Sequence, residues 1–295
     1  MSLPESVGRL RLAIEAELQQ MASAWQSQGS LGAALAYAVS GQGKRLRPIL
    51  SLLLGSHLLH DRSAAQDHAL LRAACGVELL HVASLIADDL PCMDDDEERH
   101  GRPSLHRRFD EATAILASVA LVGEGFRLLT DACAVAPHTI HAIHSVSRIG
   151  LLGGVQGICG GQAMDLACAR GEPVDMALML SYKTSSLFEI ALLAGWAFHP
   201  APPDSVEPVT QMAHHLGLAY QCFDDLQDAC QDGLANACRL WGTQSTLECA
   251  IAHWEAFLSV KASLGWDGEA IDAFCEWVVM QALPASLDGA ALGRH

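Results

Sequence analysis

Two groups of aspartates are the residues of this chain most able to do chemistry. The first group comprises Asp88, Asp89 and Asp94, and the second comprises Asp224, Asp225 and Asp228. Each group follows an apolar run typical of a buried helix, where carboxylates are costly unless positive charge lies among them. Carboxylate oxygens are the ligands that Mg²⁺ prefers, often together with substrate phosphates. The two groups together therefore predict a site that holds several Mg²⁺ ions.

The second group has the plainer geometry. Asp224 and Asp228 are four residues apart, so on a helix they lie on one face, and Gln221 lies on the same side. The alternative is a solvated acidic helix face, which is the commoner meaning of such a charge run. The neighbouring Tyr220 and Phe223 resemble core positions and weaken that alternative.

The first group is less regular. Asp88 and Asp94 are six residues apart, which on an ideal helix places them on different faces. Asp95, seven residues after Asp88, would project onto the same face. Pro91 disfavours an undistorted helix between them, so Asp94 can swing into line. Viewed alone, this group is also consistent with an acidic loop after a helix.

Basic residues are concentrated in two short segments of an acidic chain. The formal net charge of −16 disfavours binding to nucleic acid or to an anionic membrane. Lys44, Arg45 and Arg47 stand at the start of an apolar helix, where cations and unpaired N–H groups together suit a phosphate. A basic helix start without a ligand is the alternative. The second segment begins with Arg99 and His100, directly after the first aspartate group.

The elements that must position these residues are helices throughout. Apolar residues make up 51% of the chain, and helical periodicity dominates without a run of alternating strands. If both aspartate groups serve one site, residues 1–295 form a single domain. The predicted helices are 3–26, 30–39, 46–59, 64–90, 109–133, 137–149, 151–168, 173–197, 206–230, 244–263 and 268–282.

Cysteine usage and apolar runs indicate a cytoplasmic protein. The ten cysteines are scattered without a Cys-x-x-Cys pair, which favours reduced thiols and gives no paired ligand spacing for zinc. Charged residues interrupt the N-terminus, so no signal peptide is predicted. The strongest apolar runs, 49–59 and 187–198, are too short to cross a membrane, so no transmembrane segment is predicted either.

Seven motifs follow one another in a characteristic order along the chain. They are Gly-Lys-Arg-Leu-Arg-Pro at 43–48, Glu-Leu-Leu-His at 78–81, Ser-Leu-Ile-x-Asp-Asp-Leu-Pro-Cys-Met-Asp at 84–94, Arg-x-Gly-Arg-Pro-Ser-x-His at 99–106, Gly-Gly-Gln-x-x-Asp-Leu at 160–166, Lys-Thr at 183–184 and Tyr-Gln-x-x-Asp-Asp-x-x-Asp at 220–228. This order resembles the trans-prenyl diphosphate synthases, the all-helical family that includes farnesyl and geranylgeranyl diphosphate synthases. The resemblance implies an all-α, single-domain isoprenoid-synthase helical bundle with a central active-site cavity, and a homodimer.

This resemblance implies the roles of the site residues. The aspartates of both groups would hold three Mg²⁺ ions on the diphosphate of an allylic substrate, which ionises to an allylic cation. Around that diphosphate would lie Lys183, Thr184, Gln221 and Arg99. Isopentenyl diphosphate would bind separately, and its double bond would attack the cation. The residues predicted to bind substrate are Lys44, Arg45, Arg47, His81, Arg99 and His100.

The resemblance also implies a product length. In this family a bulky residue four or five positions before the first aspartate blocks the tunnel for the growing chain. Here those positions hold Ser84 and Ala83, which are both small. The insertion at 90–93 resembles geranylgeranyl diphosphate synthases. We therefore expect a twenty-carbon product, geranylgeranyl diphosphate, with farnesyl diphosphate as the next choice.

Three departures from the family pattern leave two other functions open. His100 replaces an arginine, Ala87 replaces a histidine, and no lysine occurs within 231–246. A class I terpene cyclase-like enzyme would ionise an allylic diphosphate without condensation. A regulatory, non-catalytic subunit of a synthase is the other alternative, although such subunits tend to lose the aspartates that are present here.

Overall fold

The described part of the chain is built almost entirely from α-helices. The computed structural model describes residues 4–41, 43–200, 205–227 and 236–282. The helices are α1 (Glu5–Trp25), α2 (Gly29–Val39), α3 (Leu46–Leu58), α4 (Ala64–Asp88), α5 (Leu105–Arg108), α6 (Glu111–Cys133), α7 (Thr139–Gly153), α8 (Ile158–Ala169), α9 (Met176–Leu180), α10 (Ser186–Trp196), α11 (Glu207–Gln227), α12 (Ala237–Trp241), α13 (Thr243–Ser263) and α14 (Glu269–Ala282).

The predicted all-α fold is confirmed, with three local differences. Two short strands, β1 (Glu98–Arg99) and β2 (Arg102–Pro103), form an antiparallel hairpin where no strand was predicted. The short helices α5 and α12 were also missed. A π-helical turn, Ser181–Ser185, interrupts the helix predicted over 173–197. Such turns give no signal in apolar periodicity, because they shift the hydrogen-bond register by one residue only.

The described chain divides into two compact units, each made of segments distant in sequence. The N-terminal unit comprises the described residues of Gly8–Arg148 and Ala191–Pro202. The C-terminal unit comprises those of Met1–Val7, Ile149–Ile190 and Pro203–His295. The first aspartate group belongs to the N-terminal unit and the second to the C-terminal unit. The single domain expected from the sequence stays a prediction.

Helix α4 carries the first aspartate group at its C-terminal end. A capping box starts this helix, with the Gln66 amide donating to Ser63 Oγ at 3.2 Å and the Ser63 amide donating to Gln66 Oε1 at 3.0 Å. The helix packs closely against α6, because a Cβ on Gly76 would lie only 2.8 Å from the carbonyl oxygen of Gly125. This close crossing fixes α4 and hence the position of Asp88.

Asp224 and Asp225 of the second aspartate group lie in the last turn of α11. In the C-terminal unit this helix packs along α13 and against the π-helical turn. A Cβ on Gly217 would lie 2.5 Å from Ser185 Cα, and a Cβ on Gly161 of α8 would lie 2.5 Å from the Lys183 amide nitrogen. The π-helical turn is therefore held between two helices that approach its backbone through glycine.

Within the described ranges, three helical segments are long and apolar enough to cross a membrane, by length and composition alone. They are Ala64–Asp88, Glu111–Cys133 and Met176–Trp196. The most apolar window is 67% buried within the protein in the first and third segments and 33% buried in the second. The sequence prediction underestimated the length of these apolar segments, because it considered unbroken apolar runs and not whole helices. Burial on most sides accounts for the apolar composition of α4.

Candidate active site

The chain folds back after α4 and brings Asp94 beside Asp88. The helix ends at Asp88, and the amide of Asp94 donates to the carbonyl oxygen of Asp88 at 2.9 Å. Asp95 has a left-handed backbone conformation, with φ 52°, which turns the chain away after Asp94. Asp88 is partly exposed and Asp94 is exposed. The helix therefore does not continue to Asp95, and Asp94 is the carboxylate placed next to Asp88 by the backbone.

Asp89 points into the protein and forms an ion pair with Arg99. Its side chain is buried, and its Oδ1 accepts from Arg99 Nε at 2.8 Å and also from Arg99 Nη2. The same Nη2 donates to Asp96 Oδ2 at 2.7 Å. Burial raises the pKa of Asp89, and the hydrogen bond and charge of Arg99 oppose that rise. Arg99 thus supplies the positive charge that the buried carboxylate needs.

Arg47 and His81 lie together on α3 and α4. Arg47 Nη1 is 3.1 Å from His81 Nε2, so the guanidinium donates to a neutral imidazole. Burial, followed by the charge of Arg47, holds the pKa of His81 well below its usual range. Among the described residues, the buried His81 Nδ1 atom has no hydrogen-bond partner. The pair combines a fixed positive charge with a buried ring N–H, while Lys44 nearby in sequence is exposed.

Arg45 differs from its basic neighbours because its guanidinium is buried. Nη1 donates to Glu78 Oε1 at 2.5 Å, and Nη2 donates to the carbonyl oxygens of Val39 and Gly41 at 2.9 and 2.7 Å. Arg45 also has a left-handed conformation, with φ 55°, which turns the chain into α3. These contacts give Arg45 a structural role, and its substrate role stays a prediction.

His100, which replaces a family arginine, does not supply a full positive charge. It lies in the turn of the β1–β2 hairpin with φ 52° and is exposed. Neighbouring atoms still remove part of the water around the ring, and this desolvation, followed by the charge of Arg99, lowers the pKa of His100. The imidazole is therefore mostly neutral at neutral pH.

The two predicted chain-length residues differ in exposure. Ala83 is buried, and its carbonyl oxygen accepts from Ser118 Oγ of α6 at 2.9 Å. Ser84 is partly buried, and its hydroxyl donates to the carbonyl oxygen of His81 at 2.9 Å. Of the two positions, Ser84 has the more room for a larger side chain.

A chain of hydrogen bonds joins the predicted residues of the C-terminal unit. Thr184 Oγ1 donates to Gln221 Oε1 at 2.8 Å, and Gln221 Nε2 donates to Asp225 Oδ1 at 2.7 Å. Asp225 Oδ2 then accepts from the Ala237 amide at 2.8 Å, so both carboxylate oxygens of this buried side chain accept protein hydrogen bonds. Asp224 is partly exposed. Asp228 lies outside the described residues.

Lys183 forms an ion pair with a residue that the sequence prediction did not assign. Its Nζ contacts Asp165 Oδ2 of α8. Asp165 belongs to the Gly-Gly-Gln-x-x-Asp motif at 160–165, and the lysine lies in the π-helical turn that α8 approaches through Gly161. The fixed spacing of that aspartate from the two glycines was the signal that could have identified it.

Comparisons with known proteins identify the family. Residues 28–236 match the family model "Polyprenyl synthetase". The chain is 34% identical to a geranylgeranyl diphosphate synthase of Pantoea ananas over 74% of this chain and 72% of that protein. It is 31% identical to the farnesyl diphosphate synthase of Bacillus subtilis (strain 168), over 73% and 72% respectively.

Solved structures show the same fold. The crystal structure of an FPP/GFPP synthase from Zymomonas mobilis superposes with a TM-score of 0.77 at 28% identity, covering 94% of this chain and 99% of that one. The geranyltransferase of Legionella pneumophila gives a TM-score of 0.76 at 25% identity, with coverage of 94% and 99%. The chain therefore belongs to the polyprenyl synthetase family and is a trans-prenyl diphosphate synthase of the geranylgeranyl and farnesyl diphosphate synthase type.

Proposed function

We propose that the protein condenses isopentenyl diphosphate with an allylic diphosphate in a Mg²⁺-dependent reaction, and that the main product has twenty carbons. The observation that carries the metal dependence is the fold-back after α4, which places Asp94 beside Asp88. Two exposed or partly exposed carboxylates, one at the end of α4 and one in the loop that follows it, are a donor set that suits Mg²⁺.

The five described aspartates of the two groups divide by their burial into two kinds. Asp88, Asp94 and Asp224 reach the surface of their units and would hold Mg²⁺ directly. Asp89 and Asp225 are buried and accept hydrogen bonds from Arg99 and from Gln221, so they orient those neighbours. Bound Mg²⁺ would supply positive charge to the diphosphate leaving group as the carbon–oxygen bond breaks. Family membership supports two further parts of the proposal. Asp228 would also bind Mg²⁺, and three ions would be bound in total.

The remaining polar residues would position the allylic diphosphate. Lys183 and Arg99 would donate charge-assisted hydrogen bonds to its oxygens, which are stronger than neutral ones. Thr184 and Gln221 are already joined at 2.8 Å, so their side chains are oriented before substrate arrives. Orientation in advance lowers the barrier, because the polar groups need not reorganise during ionisation.

Isopentenyl diphosphate would bind through Lys44, Arg47 and His81. Arg47 is held by His81, whose neutral ring accepts from the guanidinium and so orients it toward a phosphate oxygen. His100 would add a neutral hydrogen-bond donor where the family has a cation. This change would lower the affinity for isopentenyl diphosphate but would not abolish binding. The double bond then attacks the allylic cation, and loss of a proton ends the cycle.

Product analysis tests this function. Purified protein is incubated with Mg²⁺, labelled isopentenyl diphosphate, and dimethylallyl, geranyl or farnesyl diphosphate in turn. We expect a twenty-carbon diphosphate, no product in the presence of a chelator, and a loss of kcat of about 10²-fold or more in Asp88→Asn and Asp224→Asn. Asp267→Asn, at an exposed aspartate outside both groups, is the matched control and should retain full activity.

Other outcomes would point to the other functions. Consumption of the allylic diphosphate without incorporation of isopentenyl diphosphate would indicate a cyclase-like enzyme. No reaction with any substrate would indicate a regulatory subunit.

Product length has a separate test at Ser84. Ser84→Phe fills the partly buried position next to the first aspartate group and should shift the main product from twenty to fifteen carbons. Ser84→Ala keeps the side chain small and should leave the product unchanged. If the phenylalanine variant still makes mainly a twenty-carbon product, this position does not control chain length.

A further inference from the structure

Three histidines of the C-terminal unit converge at a place that the proposed reaction does not use. His214 and His215 lie on α11, and His253 lies on the facing helix α13. One ring nitrogen from each lies within 4.8 Å of those of the other two. Each residue is partly buried, so solvent and small ions can reach the group. Three imidazoles gathered in this way form the donor set of a transition-metal site.

The closest contact within this cluster is between two nitrogens of the same type. His215 Nδ1 lies 2.8 Å from His253 Nδ1. Two neutral imidazoles can make this contact only if one nitrogen donates and the other accepts, so a single proton bridges the two rings. A cation placed between the rings could replace that proton and take both lone pairs.

The spacing of the nitrogens suits a small tetrahedral ion. Ligands about 2.0–2.1 Å from Zn²⁺ in tetrahedral geometry are separated from one another by about 3.3 Å. The separations here run from 2.8 Å to at most 4.8 Å, on either side of that value. Rotations of the imidazole rings, without movement of the helices, would bring the three nitrogens into place.

We propose that His214, His215 and His253 form a binding site for Zn²⁺, separate from the carboxylate groups of the reaction. Three protein nitrogens would leave a fourth position for water.

The surroundings of His214 support this assignment. Ser181 Oγ lies 3.5 Å from His214 Nδ1, so a second partner helps to orient this ring. A neutral imidazole keeps a lone pair on the ring nitrogen that carries no proton, and this lone pair can bind a transition metal.

The site differs from the aspartate groups in position and in metal preference. His215 and Asp224 are nine residues apart on α11, which corresponds to about 13 Å along the helix axis. Imidazole nitrogens select zinc and other transition metals, whereas Mg²⁺ requires oxygen ligands. Excess Mg²⁺ should therefore not compete for the histidines. Bound Zn²⁺ would link α11 to α13 and would thereby brace the helix that carries Gln221 and Asp224.

Metal binding to the full-length protein tests the proposal. Chelator-treated protein is titrated with Zn²⁺ against a chromophoric chelator, in the presence of excess Mg²⁺, and with Co²⁺ as a spectroscopic probe. We expect one Zn²⁺ per chain and the visible absorption bands of tetrahedral Co²⁺. His215→Ala and His253→Ala should each raise the Kd for Zn²⁺ at least tenfold and remove the Co²⁺ bands.

Two controls make the result specific. His144→Ala, at an exposed histidine on α7, should bind Zn²⁺ as the unaltered protein does. The double variant Asp88→Asn/Asp224→Asn should also retain the site, which separates it from the metal site of the reaction. Circular dichroism checks that each variant is folded, and His253→Asn replaces His253→Ala if the latter is not. Absence of stoichiometric Zn²⁺ binding, or an unchanged Kd in both histidine variants, would overturn the proposal.

Discussion

Arg45 and Arg47 are two residues apart in one basic segment, yet the structure gives them different surroundings. Arg45 is buried against Glu78 and two backbone carbonyls, whereas Arg47 is partly exposed beside His81. A side chain that already satisfies three acceptors inside the protein has few donors left for a substrate. At the scale of single residues, the basic segment thus combines a structural cation with substrate-binding candidates.

Removal of Glu78 should reveal the structural role of Arg45. Glu78→Leu leaves a buried guanidinium without its carboxylate, and we expect a loss of about 3–5 kcal/mol in the free energy of unfolding. Urea denaturation followed by circular dichroism measures this loss. The double variant Arg45→Met/Glu78→Leu removes both charges and should recover most of it. An equal or larger loss in the double variant would show that the ion pair itself is not the source.

The neutral state of His81 predicts a pH dependence of stability. The pKa of His81 is well below its usual range in the folded protein, while the unfolded chain has the usual value of about 6.5. As the pH falls below about 6.5, the unfolded chain takes up a proton that folded His81 does not. The contribution of His81 to the free energy of unfolding is therefore fully present above this pH. Below it, that contribution falls by about 1.4 kcal/mol per pH unit.

Comparison of two histidine variants isolates that contribution. Urea unfolding between about pH 7.5 and 5.5 should show a shallower dependence on pH in His81→Gln than in the unaltered protein, by the slope of one proton. His144→Gln changes an exposed histidine and should leave the slope unchanged. Identical slopes for all three proteins would mean that His81 takes up a proton as readily in the folded state.

At the scale of elements, the helices were predictable from the sequence because apolar periodicity extends over whole segments. Helix α11 was expected over 206–230 and is described over Glu207–Gln227, and α13 was expected over 244–263 and begins one residue earlier, at Thr243. Contacts between elements were not predictable in the same way. The fold-back that brings Asp94 to Asp88 is followed by a left-handed residue, Asp95, where no glycine in the sequence marks the change of direction.

The histidine cluster was missed for a related reason. Zinc sites are recognised in a sequence by pairs of ligands that lie close together, and His215 and His253 are 38 residues apart on two helices. Only the packing of α11 along α13 brings them together. A cysteine and a histidine four residues apart, Cys249 and His253, were the local signal that could have indicated this face of α13.

The π-helical turn gives a prediction for the element that carries Lys183. A Cβ on Gly161 would lie 2.5 Å from the Lys183 amide nitrogen and 2.8 Å from its Cα, so Gly161→Ala must displace that backbone. We expect a loss of about 1–3 kcal/mol in stability from overpacking. We also expect a fall of at least about tenfold in kcat/KM for condensation, because a shift of the lysine misplaces a substrate-binding group.

A second glycine provides the control for that variant. A Cβ on Gly153, the last residue of α7, would meet no atom within 4 Å. Gly153→Ala should leave activity unchanged and stability unchanged or slightly raised, since alanine favours helix. Steady-state kinetics and urea denaturation measure both variants. Normal kinetics in Gly161→Ala would show that the turn tolerates displacement or that Lys183 is not needed.

At the scale of the whole molecule, two apolar helices differ in how their apolar side chains are used. Helix α4 buries most of its apolar residues inside its unit, but α6 leaves several exposed. On α6, Ile115, Val119 and Val122 are 48%, 65% and 40% exposed and recur at the spacing of one helix face. An exposed apolar stripe of this kind marks a surface that another molecule covers.

In the homodimer expected from family resemblance, a second copy of the chain would cover this apolar stripe of α6. A stable interface buries about 800 Å² on each partner and has a core depleted of charged residues. We therefore predict that Val119→Asp, which places a charge within the stripe, weakens self-association by at least about 3 kcal/mol, or about 100-fold in Kd. Sedimentation velocity over a range of protein concentrations measures this change. Leu12→Asp, at a leucine of α1 that is 63% exposed, is the matched control and should remain dimeric. A dimer of unchanged affinity in Val119→Asp would place the subunit interface elsewhere.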